Sequence, residues 1–585
     1  MKLKNKKKII CIFFVIVILV LIIFKQNLLK NLPIYAIAGA VEDDELMVSH
    51  AVSLLEGKYL GKYSYNTLIK NNFFPIFLAL IKLFNISYLN SLTLLYSIAC
   101  IIFILSIKKI INKKSLLILI FILLLFNPIM FSHSVIQRVY RNAIIPSLSL
   151  IVIGTYIGLF LNINSKIKDI ILFSIVASIS LACFYYTRED SMWIIPYIIF
   201  MTIAMIISAI IDLKKNRDKN KISIFLSKLI IIVLPLIITN FFGMFFSFMN
   251  FKYYGTKDIC MQNMYSKLLN KMYSIKPDIK VPRVSNTKEK LKRIEKVSPS
   301  FAEIKPELDK IMKSFENKNG EVENGLFMWT VITAIFNTGY DTPIKQQEIV
   351  DRISNEIQKA IDDGLLEEQQ IMPILNCEML DIEGFKQWFY AIIKTFLYIG
   401  NYNNINIMNN EKSTFWPGLD VNMEKFKYIT SNRVLFEEGT KDINGNLLYE
   451  LTTQDQYIKS IEINYKILEI IHRIYTNIAI FIETIGIFSY IIITVFVIIN
   501  IIKKKFLMIK EWICISGIIG AIFTLILGVS YVDITQTNAI VPLYLSAAYP
   551  LFITFSIMCI ITLTKIIVLK IKTKENINEE NCNNR

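Results

Sequence analysis

Apolar residues run along this chain in long blocks separated by short polar stretches and by one long one. Blocks at 9–24 (extended by Leu28, Leu29 and Leu32), 89–107, 143–163, 169–186, 192–212, 222–248, 474–502, 511–531 and 540–569 approach or exceed the roughly 20 residues that cross a bilayer as a helix, and 115–132 reads as a further span. The block at 73–84 is too short to cross and reads as a helix lying on one face or dipping into it. Between 250 and 472 the pattern is mixed. Helical periodicity and caps predict helices at 287–297, 299–316, 344–361 and 381–399 there, with turns at Asn319-Gly320, Asp363-Gly364 and Asn444-Gly445-Asn446.

Composition fixes the class. With 585 residues, 54% hydrophobic, and a mean hydropathy of +0.48, no soluble interior could bury these blocks. The expected fold is a polytopic α-helical membrane protein of about ten transmembrane helices with an inserted, mostly helical soluble domain. The formal net charge of +17 does not point to nucleic acid. It falls in lysine clusters between blocks (Lys108, Lys109, Lys113 and Lys114; Lys166 and Lys168; Lys214 and Lys215; Lys503 to Lys505), as the positive-inside rule produces. Counting spans from the lysine-rich start, with the first span uncleaved because the small-residue steps at Ala36–Ala38 and Ala38–Ala40 lie too far beyond it, puts both termini in the cytoplasm. The expected division is a membrane module at 1–249, an extracytoplasmic domain at 250–472, closing spans at 473–572 and a disordered cytoplasmic tail at 573–585. The eight cysteines form no Cys-x-x-Cys pair; only Cys260 and Cys377 lie in the long polar region, and spacing does not decide whether they pair.

That count places three segments outside: 33–88, 133–142 and 186–192. Such loops should be poor in Lys and Arg, so Arg138 and Arg141 in Gln-Arg-Val-Tyr-Arg-Asn and Arg188 in Thr-Arg-Glu-Asp-Ser stand out. The first loop opens with four acids, Glu42 to Glu45, then runs as an amphipathic helix stopping at Gly57. Asp43 and Asp44 offer a base, since adjacent like charges at a low-dielectric boundary raise one carboxylate's pKa. Lys70, Arg138, Arg141 and Arg188 offer contacts to a phosphate. With only His50, His133 and His472, and neither His-Glu-x-x-His, Gly-x-Ser-x-Gly nor a P-loop, zinc hydrolase, serine hydrolase and NTPase readings lack their parts. No metal site is expected and no cofactor is required, although a divalent cation at the acids is compatible with the pattern.

The order Asp-Asp, a helix ending Leu-Leu-Glu-Gly, an aromatic-rich turn, Lys70 and Pro75-Ile-Phe-Leu-Ala-Leu80 resembles the first outer loop of the GT-C superfamily of polyprenyl-phosphate-sugar-dependent membrane glycosyltransferases, over residues 1 to about 215. The resemblance implies that Asp43 is the catalytic base with Asp44 beside it, that Glu189 or Asp190 supplies the second acid of a later outer loop, and that Lys70 binds phosphate as in aminoarabinose transferases. His50 departs from the family's pattern, and the double-Trp acidic motif of oligosaccharyltransferases is missing. The implied activity is inverting transfer from a polyprenyl-phosphate sugar to an envelope glycan, glycolipid or protein hydroxyl, on the outer side of a bacterial cytoplasmic membrane, with membrane lipid but no nucleic acid as partner. The rival is a transporter or export component for lipid-linked glycans, which would carry charges within its spans and broken helices.

Overall fold

A computed structural model of the chain describes residues 2–35, 41–215, 220–372, 377–378, 380–407, 420–434 and 451–583, and these are mostly helical. The small-residue steps at 36–40 and the turn expected at 444–446 lie outside the described residues. Among those described, nine helices are long and apolar enough to cross a membrane, which makes this a multi-pass helical membrane protein by length and composition. Tyr88–Ile107 packs along Ile145–Asn162, Ile167–Tyr185 along Lys221–Tyr254, and Leu451–Ile502 along Ala548–Asn583. The Arg141–Asn162 span is wholly enclosed, whereas Phe13, Phe241, Phe248, Phe481 and Phe488 on the peripheral helices are exposed, the face such a bundle turns to lipid. The turns that follow Tyr88–Ile107 and Ile145–Asn162 meet, and the last helix joins them: Lys109 Nζ donates to Leu161 O at 3.3 Å and Ser165 Oγ at 2.7 Å, and Lys565 Nζ donates to Ile110 O.

The span expected at 115–132 is instead a 12-residue helix, Lys114–Leu125. At 1.5 Å per residue it covers about 18 Å of a hydrocarbon core about 30 Å thick. It can stop there because its orphan carbonyls are taken by side chains from three other helices. Tyr475 OH donates to Leu123 O, Tyr96 OH to Leu124 O at 2.9 Å, and the buried Lys25 Nζ to Leu125 O at 2.6 Å. From Phe126 to Ile144 the chain runs through short, irregular turns and is buried except at Ser134, the condition under which non-helical backbone is tolerated at membrane depth. This segment carries Arg138 and Arg141.

The region 250–472 is not one domain. Gln262–Tyr273, Lys288–Val297, Pro299–Met312, Asn324–Asn337 and Pro343–Asp362 close around their own core, which includes Leu268, Phe301, Leu308, Phe327 and Ile353. Three of these helices start as the sequence prescribes, with Thr287, Ser298 and Thr342 accepting from backbone N–H groups in the first turn. Gly320 and Gly364, at φ +73° and +72°, make the expected turns. Ile382–Ile399 behaves differently. Its stripe of Ile382, Phe385, Phe389, Ile393 and Leu397 is exposed, and the helix packs on Ile509–Thr535, where Trp388 Nε1 donates to Leu527 O at 3.2 Å. Ile399, Tyr402, Phe426 and Ile429 then join the membrane core. Residues 451–472, expected to close the domain, are the start of the single helix Leu451–Ile502, which no proline interrupts. The last helix likewise runs on to Asn583 through the tail expected to be disordered, since extending a formed helix needs no new nucleus.

Candidate active site

Val41–Glu45, which holds the four acids, forms a π-helical turn that leads into Leu46–Leu55, and Gly57 at φ +72° ends it. Leu46, Met47, Val48 and Ala51 bury one face of this helix against the membrane core, which fixes how the preceding acids point. Asp44 goes inward and is 1% exposed. Arg138 clamps it, with Nε 2.9 and 3.0 Å from the two carboxylate oxygens and Nη2 2.7 Å from Oδ1. Asp43 stays one-third open: it pairs with Lys70, lies 3.4 Å from Arg138 Nη2, and accepts from Tyr140 OH at 3.2 Å. The repulsion expected between the two carboxylates is therefore offset by two cations. Lys70, buried just ahead of the short apolar helix Phe73–Leu83, has its ammonium 5.5 Å from the Tyr140 ring and 5.3 Å from that of Trp329, a residue of the inserted domain.

A second cluster adjoins the first. Arg141 Nη1 lies 2.7 Å from Glu189 Oε1, which also accepts from Asn71 N at 2.5 Å, and Arg141 Nη1 reaches Thr187 O at 3.4 Å. Arg188 forks onto Asp190, Nε and Nη2 to the two oxygens at 2.7 and 2.5 Å, and its Nη1 donates to Asn142 Oδ1. Burial works to raise the Glu189 carboxyl, but the charge and hydrogen bonding of Arg141, with the Asn71 N–H, outweigh it and hold the group below the ordinary range. Asp190 is likewise opposed by desolvation and lowered by Arg188 and Arg141. Tyr140 stands between the clusters, its ring centroid 4.5 Å from the Arg138 guanidinium and 5.6 Å from that of Arg141.

A cavity of about 530 Å³ opens beside the second cluster, among Ile167–Tyr185, Ser191–Lys215 and Lys221–Tyr254. Asn71, Arg188 and Glu189 line one part, and Leu181, Ile198, Ile203 and Leu236 much of the rest. A charged and polar end, with a largely apolar wall beyond it in the span region, suits an amphiphile with a polar head and a hydrocarbon tail.

All eight residues singled out in the sequence thus come together, in two clusters joined by Tyr140. Two expectations change in detail. Each cation is engaged with an acid rather than standing open, and Asp44 is locked onto Arg138 rather than available beside Asp43. Sequence reasoning missed Tyr140, although it sits inside the singled-out Gln-Arg-Val-Tyr-Arg-Asn, and missed Asn71, Asn142 and Trp329, for which no local signal exists. Among the described residues no three His, Cys, Asp or Glu side chains converge as a metal site would need. Cys260 is a free, buried thiol that donates to Ile69 O at 3.0 Å. The chain matches no protein-family model, no curated protein and no solved structure.

Proposed function

We propose that this protein is an inverting membrane glycosyltransferase of the GT-C kind, moving a sugar from a polyprenyl-phosphate donor to a hydroxyl of a cell-envelope acceptor on the outer face of a bacterial membrane. The observation that carries the reading is the junction of an amphiphile-shaped cavity with a carboxylate ringed by cations: Arg188 and Glu189 line the cavity, Arg141 links Glu189 to Tyr140, and Tyr140 bonds Asp43.

In this reading the prenyl chain lies along Leu181, Ile198 and Leu236, and the phosphate meets Arg188, which lines the cavity, and draws on Arg141, which pairs with the cavity's Glu189. Asp43 accepts the proton of the acceptor hydroxyl as its oxygen bonds to the anomeric carbon. The bond from that carbon to the phosphate oxygen breaks, and the electron pair leaves on the phosphate, where the guanidinium groups receive the charge. A single displacement inverts the anomeric centre. Asp44 and Glu189 hold Arg138 and Arg141 in position, and Lys70 tunes Asp43.

One observation favours the transporter reading: Glu483, in the long Leu451–Ile502 helix, is 2% exposed and neither carboxylate oxygen has a hydrogen-bond partner. Release of free polyprenyl phosphate from a panel of polyprenyl-phosphate sugars, by the purified chain in nanodiscs with envelope extract as acceptor, separates the two. The transferase reading predicts release. No release, together with vectorial movement of a lipid-linked glycan in proteoliposomes, would transfer the case to the rival.

A further inference from the structure

Against the acidic helix lies a second cavity, of about 240 Å³, that the donor reading leaves unused. One wall is a stripe of the helix itself, Glu45, Ser49 and Ser53 at four-residue spacing, with His50 beside it. The other is the strap from Leu60 to Thr67. Gly61 makes the close approach: at φ +88° a β-carbon there would sit 2.8 Å from Ser53 Oγ.

The lining is mostly polar, with one charge of each sign, Glu45 and Lys62. Ser64 Oγ bonds Asn66 Oδ1 at 2.7 Å and Thr67 Oγ1 at 2.9 Å, so the strap's hydroxyls are fixed in orientation. The hydroxyls of Ser49 and Ser53 make no hydrogen bond among the described residues, and His50, 3% exposed, leaves Nδ1 without a partner. Burial pushes the His50 imidazole down to about 3, so it is neutral at physiological pH. An anion would find Lys62 but also Glu45; a cation would find one carboxylate but also Lys62; an apolar ligand would strand the hydroxyls. A neutral, polyhydroxylated ring satisfies them. The volume, below the roughly 300 Å³ at which drug-sized sites begin, suits one such ring.

We propose that this cavity is a carbohydrate site that holds one neutral sugar ring of the acceptor against the Glu45–Ser53 stripe, next to the turn that carries Asp43. Its assignment as the acceptor site rests on the transferase reading; its affinity for a neutral sugar does not. The inserted domain enters the recognition through the strap. Tyr63 OH donates to Gln346 Oε1 at 2.7 Å, and Leu60 and Leu68 belong to the domain's core, while the end of the Lys221–Tyr254 helix holds the strap through Tyr59 OH to Asn250 Oδ1 at 2.8 Å and Tyr254 OH to Gly61 O at 2.9 Å. The domain therefore sets the shape of the cavity without lining it.

The test is calorimetric titration of the full chain in nanodiscs with a panel of neutral disaccharides, hexosyl and N-acetylhexosaminyl. Wild type should bind at least one member saturably, and Ser53→Phe, which fills the cavity, should weaken that binding at least about tenfold. Should Ser53→Phe fail to fold, Ser49→Ala and Thr67→Ala report the same site, each losing up to about tenfold with one hydrogen bond. Donor turnover measured alongside keeps the two proposals apart. Disaccharide binding lost in Ser53→Phe, with no donor turned over by wild type, supports the sugar site and removes the transferase. No disaccharide bound, or equal binding by wild type and the cavity variants, overturns the sugar site while leaving donor turnover to stand.

Discussion

The two acid doublets, Asp43-Asp44 and Glu189-Asp190, divide in the same way. In each, one carboxylate is held inward by an arginine of the irregular segment, Asp44 by Arg138 and Glu189 by Arg141, with side chains 2% and 21% exposed. In each, the other is open, Asp43 at 33% and Asp190 at 60%. Consecutive residues in a tight turn point different ways, so a doublet supplies an anchor and an available group from adjacent positions. The doublets differ in what lies beneath them. The first opens a helix packed on the core; the second sits on the turn between two spans. The more exposed pair, Arg188 with Asp190, is the weaker by screening, so under the proposed function Arg188 is the cation most readily drawn to the donor phosphate.

The comparison breaks first at Asp44. Asp44→Ala leaves the buried Arg138 with only its 3.4 Å contact to Asp43 and should cost up to about 3 kcal/mol, read as a lower unfolding temperature in detergent; tolerance equal to that of Asp43→Ala would undo the distinction. Glu189→Gln keeps the acceptor for Asn71 N–H but loses the ion pair, and should cost about 1–3 kcal/mol. Because Glu189 and Asp190 titrate below their ordinary values, the stability they contribute is complete at neutral pH and lost as pH falls through the depressed values. Glu189→Gln should therefore flatten the acid limb of the unfolding profile.

His50 acts in a higher window. It stays neutral in the fold down to about 3, whereas the unfolded chain takes up a proton near pH 6.5, so stability declines as pH falls from about 6.5 toward 3, by up to about 1.4 kcal/mol per pH unit. His50→Asn should remove that slope. Asp190→Asn is the mildest change, with a stability effect under about 1 kcal/mol, and by releasing Arg188 it should tighten binding of polyprenyl phosphate in a competition assay; weaker binding would contradict the assignment of Arg188.

Much of this was written locally. Long apolar blocks marked nine of the spans, and side-chain caps with following prolines marked Pro299–Met312 and Pro343–Asp362. The eight charged residues could be grouped because a span count puts their loops at one face. The rest depends on partners far along the chain. Nothing within 115–132 says that Lys25, Tyr96 and Tyr475 will cap a helix at Leu125. The exposed stripe of Ile382–Ile399 was visible as periodicity, but periodicity does not say whether a domain core or a membrane helix receives the opposite face. The pairing of each acid with a particular cation, and the position of Tyr140 among them, follows from how the irregular segment is buried.

The central claim is that Asp43, not Asp44, takes the acceptor proton. The direct measurement is polyprenyl-phosphate release by Asp43→Asn in nanodiscs, with a donor that wild type turns over and with unfolding temperature recorded on the same sample. A fall of at least about a hundredfold, the usual contribution of a general base, in a protein that is still folded at the assay temperature is the predicted result. Release at the wild-type rate from folded Asp43→Asn would contradict it.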